Sequence, residues 1–280
     1  MSLIDFILNL VALFLWLSWR SFGADPLIHS TPATLAGTLR RAEPRRLKGW
    51  HFLAGLVALL VLRAWLYWQI GPSVNWTPKI RLVAIALSFR SDFLDRMLLF
   101  SGLSFTLTLA LLYLLLLLLS LATGPSLELN AFQRFLRTQL GFVHSWHALA
   151  KSFLPLAVGM CGWLLINPLL TRLNIIPPPV SGTQRVEQAL LIGLGSYLAW
   201  KYLIVAILLL SLLSSYVYLG NHWFWNFVSL SSRNLLAPIR WIPLRLGKVD
   251  FTPLAGVIIV LILGEFGERG LVRLYERLAL

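Results

Sequence analysis

Four polar or charged side chains stand inside long apolar runs: Arg63, Asn167, Lys201 and Glu265. Placing an ionisable group in hydrocarbon costs about 2.5 to 3.5 kcal/mol even on insertion-based scales, so such residues mark an ion path, a counter-ion pair or a lock between helices. Their spacing suggests that they meet. Asn167 and Glu265 are 98 positions apart, which is also the period of an internal repeat, and Arg63 falls close to the equivalent point of an earlier unit. Lys201 enters its run about as far from one face as Glu265 stands from the exit of its antiparallel partner, and Asp5 and Arg63 bear the same relation. These relations predict an intramembrane polar cluster joining Glu265 to Lys201 or Arg63, on the non-cytoplasmic half of a bundle. The alternative is that the long stems snorkel to the headgroups and the groups never meet. Gly193, Gly195, Ser196, Gly267 and Gly270 are small enough to bring the helices concerned close together.

Other chemistry is sparse. His144 and His147, three residues apart, would share one face of a helix and are suited to a metal or haem, or more simply to a pair at the membrane interface. His29, His51 and His222 lie at the ends of apolar runs. The lone Cys161 excludes an internal disulfide and any cysteine-based metal centre. No phosphate-binding glycine loop, no His-Glu-x-x-His and no serine nucleophile elbow is present, so neither an enzyme nor a cofactor or metal is expected.

The elements that must position these residues follow from composition. Of 280 residues 58% are apolar and 12% are charged, about half the charge of a globular chain. The fold expected is all-α, a polytopic transmembrane helical bundle forming one membrane domain over residues 1–280. Apolar runs at Leu3 to Trp19, Phe52 to Ile70, Met97 to Ala122, Phe153 to Thr171, Ala189 to Leu219 and Pro253 to Leu271 are each long enough to cross about 30 Å of hydrocarbon. No Lys or Arg precedes the first run and no small-residue cleavage site follows it, so it reads as an anchor and not a cleaved signal. The net charge of +13 belongs to loops and headgroups, and no nucleic-acid partner is expected. Loops after the first, third and fifth runs carry thirteen Lys and Arg against nine on the other side, which places those loops in the cytoplasm. Trp19, Trp50, Trp68, Trp76, Trp223, Trp225 and Trp241 cluster at run ends as an aromatic belt.

The third and fourth runs resemble the fifth and sixth at a shift of 98: Phe153, Pro155, Leu156 and Ala157 fall on Phe251, Pro253, Leu254 and Ala255. Phe52 to Gly55 echoes the same segment, giving three helical hairpins with repeat units at about 3–70, 97–172 and 189–272. Their long loops should hold structure of their own. Phe132, Phe135, Leu136, Leu140 and Val143 recur at helical spacing opposite Gln133, Arg134 and Arg137, and Phe224, Phe227, Val228 and Leu235 do so beside Arg233 and Asn234. Such amphipathic helices either lie in the headgroup plane or pack on the ends of the spans. Trp76-Thr77-Pro78 with Ile80, Val83, Ala84 and Leu87 suggests another surface helix, and Pro177-Pro178-Pro179 a stiff connector.

Arg233-Asn234-Leu235-Leu236-Ala237-Pro238-Ile239-Arg240, then Pro243, Arg245 and Asp250-Phe251-Thr252-Pro253-Leu254, resembles the signature of the YggT family of integral membrane proteins, whose chloroplast relatives are often called YlmG. The second unit carries a partial copy at Phe153-Leu154-Pro155-Leu156, and the resemblance spans roughly Met97 to Arg277, with residues 1–96 outside the usual two-unit form. In physical terms Thr252-Pro253 is a helix start, Asp250 adds a carboxylate near the positive helix end, and Pro238 and Pro243 hold a turn that presents Arg240 and Arg245 at the interface. The resemblance implies a bacterial inner-membrane protein that binds anionic lipid and other membrane proteins, or its own copies, and helps to organise them. Chloroplast relatives are associated with cytochrome assembly and nucleoid or membrane organisation. Family links to osmotic stress and potassium uptake leave a small ion channel or transporter as the rival.

Overall fold

The computed structural model describes residues 2–22, 49–82, 85–123, 130–216, 223–239, 245–246 and 249–279. Helices α1 (Ser2–Phe22) and α2 (Gly49–Ile70) lead to a two-stranded antiparallel hairpin, β1 (Lys79–Leu82) and β2 (Ile85–Ser88). Then come α3 (Leu94–Thr123), α4 (Asn130–Leu140), α5 (Ala148–Arg172), α6 (Gly182–Gly195), α7 (Leu198–Tyr216) and α8 (Trp223–Leu235). A second short hairpin, β3 (Arg245–Leu246) with β4 (Val249–Asp250), precedes α9 (Thr252–Ala279).

Among the described residues, five helical segments are long and apolar enough to cross a bilayer: Leu3–Ser21, Gly49–Ile70, Leu94–Thr123, Ala148–Arg172 and Gly182–Tyr216. Phe14, Val61, Leu111, Leu165 and Leu213 stand exposed along them, as side chains facing lipid do. The chain is a multi-pass helical membrane protein. The sixth apolar run forms α9, but Glu265, Glu268 and Arg269 interrupt its apolar length.

Two compact units divide the chain, the first of residues 1–78 and 89–109, the second of 79–88 and 110–280. In the first, α1 and α2 pack with the start of α3 around Ala12, Leu56 and Phe105. In the second, α5 packs along α6 and α7 along α9. The order of long helix, short helix and long helix occurs twice, as α3–α4–α5 and α7–α8–α9. Partner choice is not the same in the two sets, since α5 takes α6 as its main neighbour.

Both loop helices pack on the end of a span. Leu136 and Leu140 of α4 bury against Leu116 and Leu119 of α3, and Phe227 and Val228 of α8 pack against Leu119 and Leu210. The side chain of Phe132 and the segment 217–222 lie outside what is described. Because α4 and α8 share Leu119, the loops after α3 and α7 lie at one end of this unit.

Residues 79–88 correct the expectation of a surface helix. Ile80, Ile85 and Leu87 are buried while Lys79, Arg81, Ala86 and Ser88 are exposed, a period of two that suits a ladder with one covered face. The fifth run also differs: its helix begins at Gly182 and is interrupted at Ser196–Tyr197, between α6 and α7. Ser181 accepts a hydrogen bond from the amide of Gln184 at 3.1 Å while the Gln184 side chain accepts from the amide of Val180 at 2.7 Å, which explains the early start.

Candidate functional site

The most connected polar group is Arg63. On α2 the buried positions Leu56, Arg63, Ala64 and Tyr67 form one stripe, so helical periodicity itself turns the guanidinium inward. Asp5 and Asn9, one turn apart on α1, face it. Arg63 donates to Asp5 Oδ1 and Asn9 Oδ1, each at 2.8 Å, and to Ser104 Oγ at 3.2 Å. Asn9 donates to the same serine at 3.0 Å, and the Tyr67 hydroxyl donates to Asp5 at 2.6 Å. The guanidinium also lies 5.5 Å from the Tyr67 ring centre and 5.3 Å from that of Phe100. The Arg63 side chain is 1% exposed and that of Asp5 21%. Three helices are thereby tied through one ion pair, and among the described residues the Arg63 Nε has no partner.

The other predicted members settle elsewhere. Lys201 pairs with Glu268 at 2.9 Å, and Glu265 pairs with Arg269 one turn along its own helix at 2.8 Å. The expected Glu265–Lys201 junction is therefore replaced by one a turn further along α9. Gly264 accounts for the difference: a Cβ there would lie 2.8 Å from Lys201 Cδ, so the missing side chain gives the lysine stem room to cross α9. Asn167 is buried on α5 with no partner for Nδ2 among the described residues, and Trp163, one turn away, has none for Nε1. Arg63 finds all its hydrogen-bond partners within its own unit.

Beside Asn167 lies a feature that sequence reading missed. Pro168 has no amide hydrogen, so the carbonyl of Leu164, four residues earlier, loses its helical partner. Arg185 of α6 donates to that carbonyl. Nearby, Gly159 and Gly193 make the close approach of α5 to α6, since a Cβ on Gly159 would stand 2.8 Å from Gly193 Cα. Gly193 was foreseen as a close-packing residue. Gly270, by contrast, has nothing near it.

Parts of the segment from Arg233 to Leu254 make contacts within the fold where it is described. Asn234 donates to the Ala122 carbonyl at 2.7 Å, which caps one of the free carbonyls in the last turn of α3. Arg233 and Pro238 are exposed. Arg240 and Pro243 lie outside the described residues, and Arg245 and Asp250 are backbone partners across β3 and β4. Phe251 is half-buried and its carbonyl accepts the first bond of α9 from Ala255 at 3.1 Å, so Thr252 and Pro253 are the first two helical residues, both buried. The cap carbonyl is thus Phe251's, one residue earlier than expected. In the second unit the matching Pro155 sits inside α5, which begins at Ala148.

A second polar group was not foreseen. Ser120, near the end of α3, accepts from Lys151 Nζ at 3.1 Å and stands 3.2 Å from His144 Nδ1. By sequence Lys151 precedes the fourth apolar run and counts among the basic residues of the loop before it, yet it is the fourth residue of α5 and is 7% exposed. His144, in the short helical turn Gly141–Ser145, is held below the usual imidazole range by desolvation and then by the positive charges of Lys151 and Arg137. His147 is exposed and precedes α5 as its cap residue, and no group of three metal-ligating side chains occurs among the described residues. His51 is exposed, whereas His29 and His222 lie outside the described residues. Comparison with protein-family models, with curated proteins and with solved structures gives no match to the chain.

Proposed function

We propose that this chain is a non-catalytic scaffold of the YggT type in a bacterial inner membrane, which binds anionic lipid and gathers other membrane proteins or its own copies. On this reading α9 is a sixth span, the three units are diverged hairpins, and the long loops are cytoplasmic. The observation that carries the reading is that two charges set within apolar helices are each paired with a carboxylate, Arg63 with Asp5 and Lys201 with Glu268, while large apolar side chains face outward. A conducting path needs a continuous polar lining, whereas matched pairs hold helices together. The anchoring of α4 and α8 on one span end supports a fixed basic face, with exposed Arg134, Arg137 and Arg233 turned away from the apolar contacts.

The test is copurification of the full chain in mild detergent, together with ion flux across proteoliposomes. A stable protein partner and sealed vesicles are expected. Flux in the wild type that is lost in Glu265→Gln would replace the scaffold by the rival small channel or transporter. Reporters inserted within 124–129 and within 217–222 should emerge on one face, and opposite faces would overturn the hairpin scheme.

A further inference from the structure

We propose that Lys151, Ser120 and His144, with Arg137 beside them, bind a phosphate-bearing anion at headgroup depth, supplied by the phosphodiester of an anionic lipid. The proposal uses only the membrane setting of the chain and names a ligand class and a place for it. Lys151 is 93% buried by its 7% exposure, yet among the described residues its ammonium meets only a neutral hydroxyl, at 3.1 Å. A buried cation without a counter-charge is strongly unfavourable, and every feature around this one adds to the need for an anion. Lys151 lies in the first turn of α5, at the positive end of the helix dipole, where a cation is repelled. That turn contains no acidic residue, and its cap residue His147 gives no side-chain hydrogen bond to the free amides. On the far side of Ser120 comes a nitrogen of His144, and Arg137 adds a further positive charge.

The donor set is suited to phosphate oxygens: an ammonium with hydrogens to spare, a hydroxyl, an imidazole and uncapped helix amides. Its position chooses the source. Ser120 is three residues from the end of α3 and Lys151 three from the start of α5, each about 4.5 Å of helix from the boundary, which is where lipid phosphates lie. None of the acidic residues described touches this group. Glu128, the acidic residue nearest Ser120 in sequence, lies outside the described residues and is the internal competitor that the test must separate from a lipid.

The experiment titrates short-chain phosphatidylglycerol into the full chain in zwitterionic detergent, following tryptophan fluorescence. Short-chain phosphatidylcholine and inorganic phosphate are titrated in parallel. Saturable binding of phosphatidylglycerol is expected, weakened at least tenfold in Lys151→Met, weakened less in Ser120→Ala and unchanged in Arg90→Gln, whose exposed guanidinium pairs with Asp92. Competition by inorganic phosphate in the same concentration range would assign the site to a soluble phosphate and keep its chemistry. Equal phosphatidylglycerol binding by wild type, Lys151→Met and Ser120→Ala would overturn the proposal. So would a Glu128→Gln substitution that lowers thermal stability in the wild type but not in Lys151→Met, because the counter-charge would then lie within the chain. Ser120→Ala keeps the test open if Lys151→Met does not fold. Loss of the scaffold reading through absence of any protein partner would leave these lipid titrations unaffected.

Discussion

Replacing Arg63 by methionine is the sharpest perturbation of the first unit. The substitution keeps much of the stem and removes the guanidinium, so the hydrogen bonds to Asp5, Asn9 and Ser104 vanish together. Asn9 and Ser104 still bond to each other, and Tyr67 still donates to Asp5. What remains is a carboxylate at 21% exposure without its cation. Removing one partner of a buried pair costs about 3 to 5 kcal/mol. Partial exposure of Asp5 and the modest worth of polar contacts between membrane helices bring the expected loss to about 2 to 3 kcal/mol. Thermal unfolding in mild detergent, or a steric-trap measurement between α1 and α2, reads this directly. Adding Asp5→Asn removes the stranded charge but leaves an acceptor for Tyr67, so the double variant should recover most of the loss. The reasoning is refuted if Arg63→Met is as stable as the wild type, or if the double variant is no better than the single one.

Gly159→Val should lower the thermal midpoint, because added carbons would push Gly193 away and overpacking costs about 1 to 3 kcal/mol; Gly102→Ala, where nothing lies within 4 Å, should not lower it. Arg185→Met should destabilise by about 1 to 2 kcal/mol by leaving the Leu164 carbonyl without a donor, and much less in a Pro168→Ala background, where the helix supplies its own amide. A thermal double-mutant cycle with no coupling between these two positions would refute that assignment. The depressed folded-state pKa of His144 means that the unfolded chain binds its proton first as pH falls. In phosphate-free zwitterionic detergent, stability should therefore decline as pH drops below about 6.5 and level off beneath the folded value; His144→Gln should flatten that part of a pH series of melting curves.

Five of the six runs were legible as spans because nothing else explains uninterrupted apolar stretches such as Met97 to Ala122. The two loop helices were legible because Leu136 and Leu140, like Phe224, Phe227 and Val228, keep helical spacing. Residues 79–88 misled because Ile80, Val83, Ala84 and Leu87 fit a helical template while Ile80, Ile85 and Leu87 in fact share one face of a hairpin. Depth counting put Lys201 near Glu265 and was three residues short, about 4.5 Å. Which carboxylate the lysine reaches is decided by the bare backbone at Gly264, a detail that polarity patterns do not carry. Asp5 and Arg63 were matched by the same counting, because both groups face inward from neighbouring helices. Lys151 was misplaced because Phe153-Leu154-Pro155 reads as a helix start when aligned with Phe251-Thr252-Pro253, whereas α5 begins earlier and takes its proline inside. The same short pattern serves two local structures, so repetition in the sequence did not ensure repetition in packing.

Pro168 and Arg185 bear on how the chain is made. A span delivered alone to the lipid with a proline in its interior carries a bare carbonyl at Leu164, and hydrocarbon offers it nothing. Among the described residues the donor is Arg185, which leaves the ribosome later, across the connector. Thus α5 is not a finished transmembrane segment when its own translation ends. The Leu164 carbonyl is matched only once α6 is in place, so the two helices complete each other.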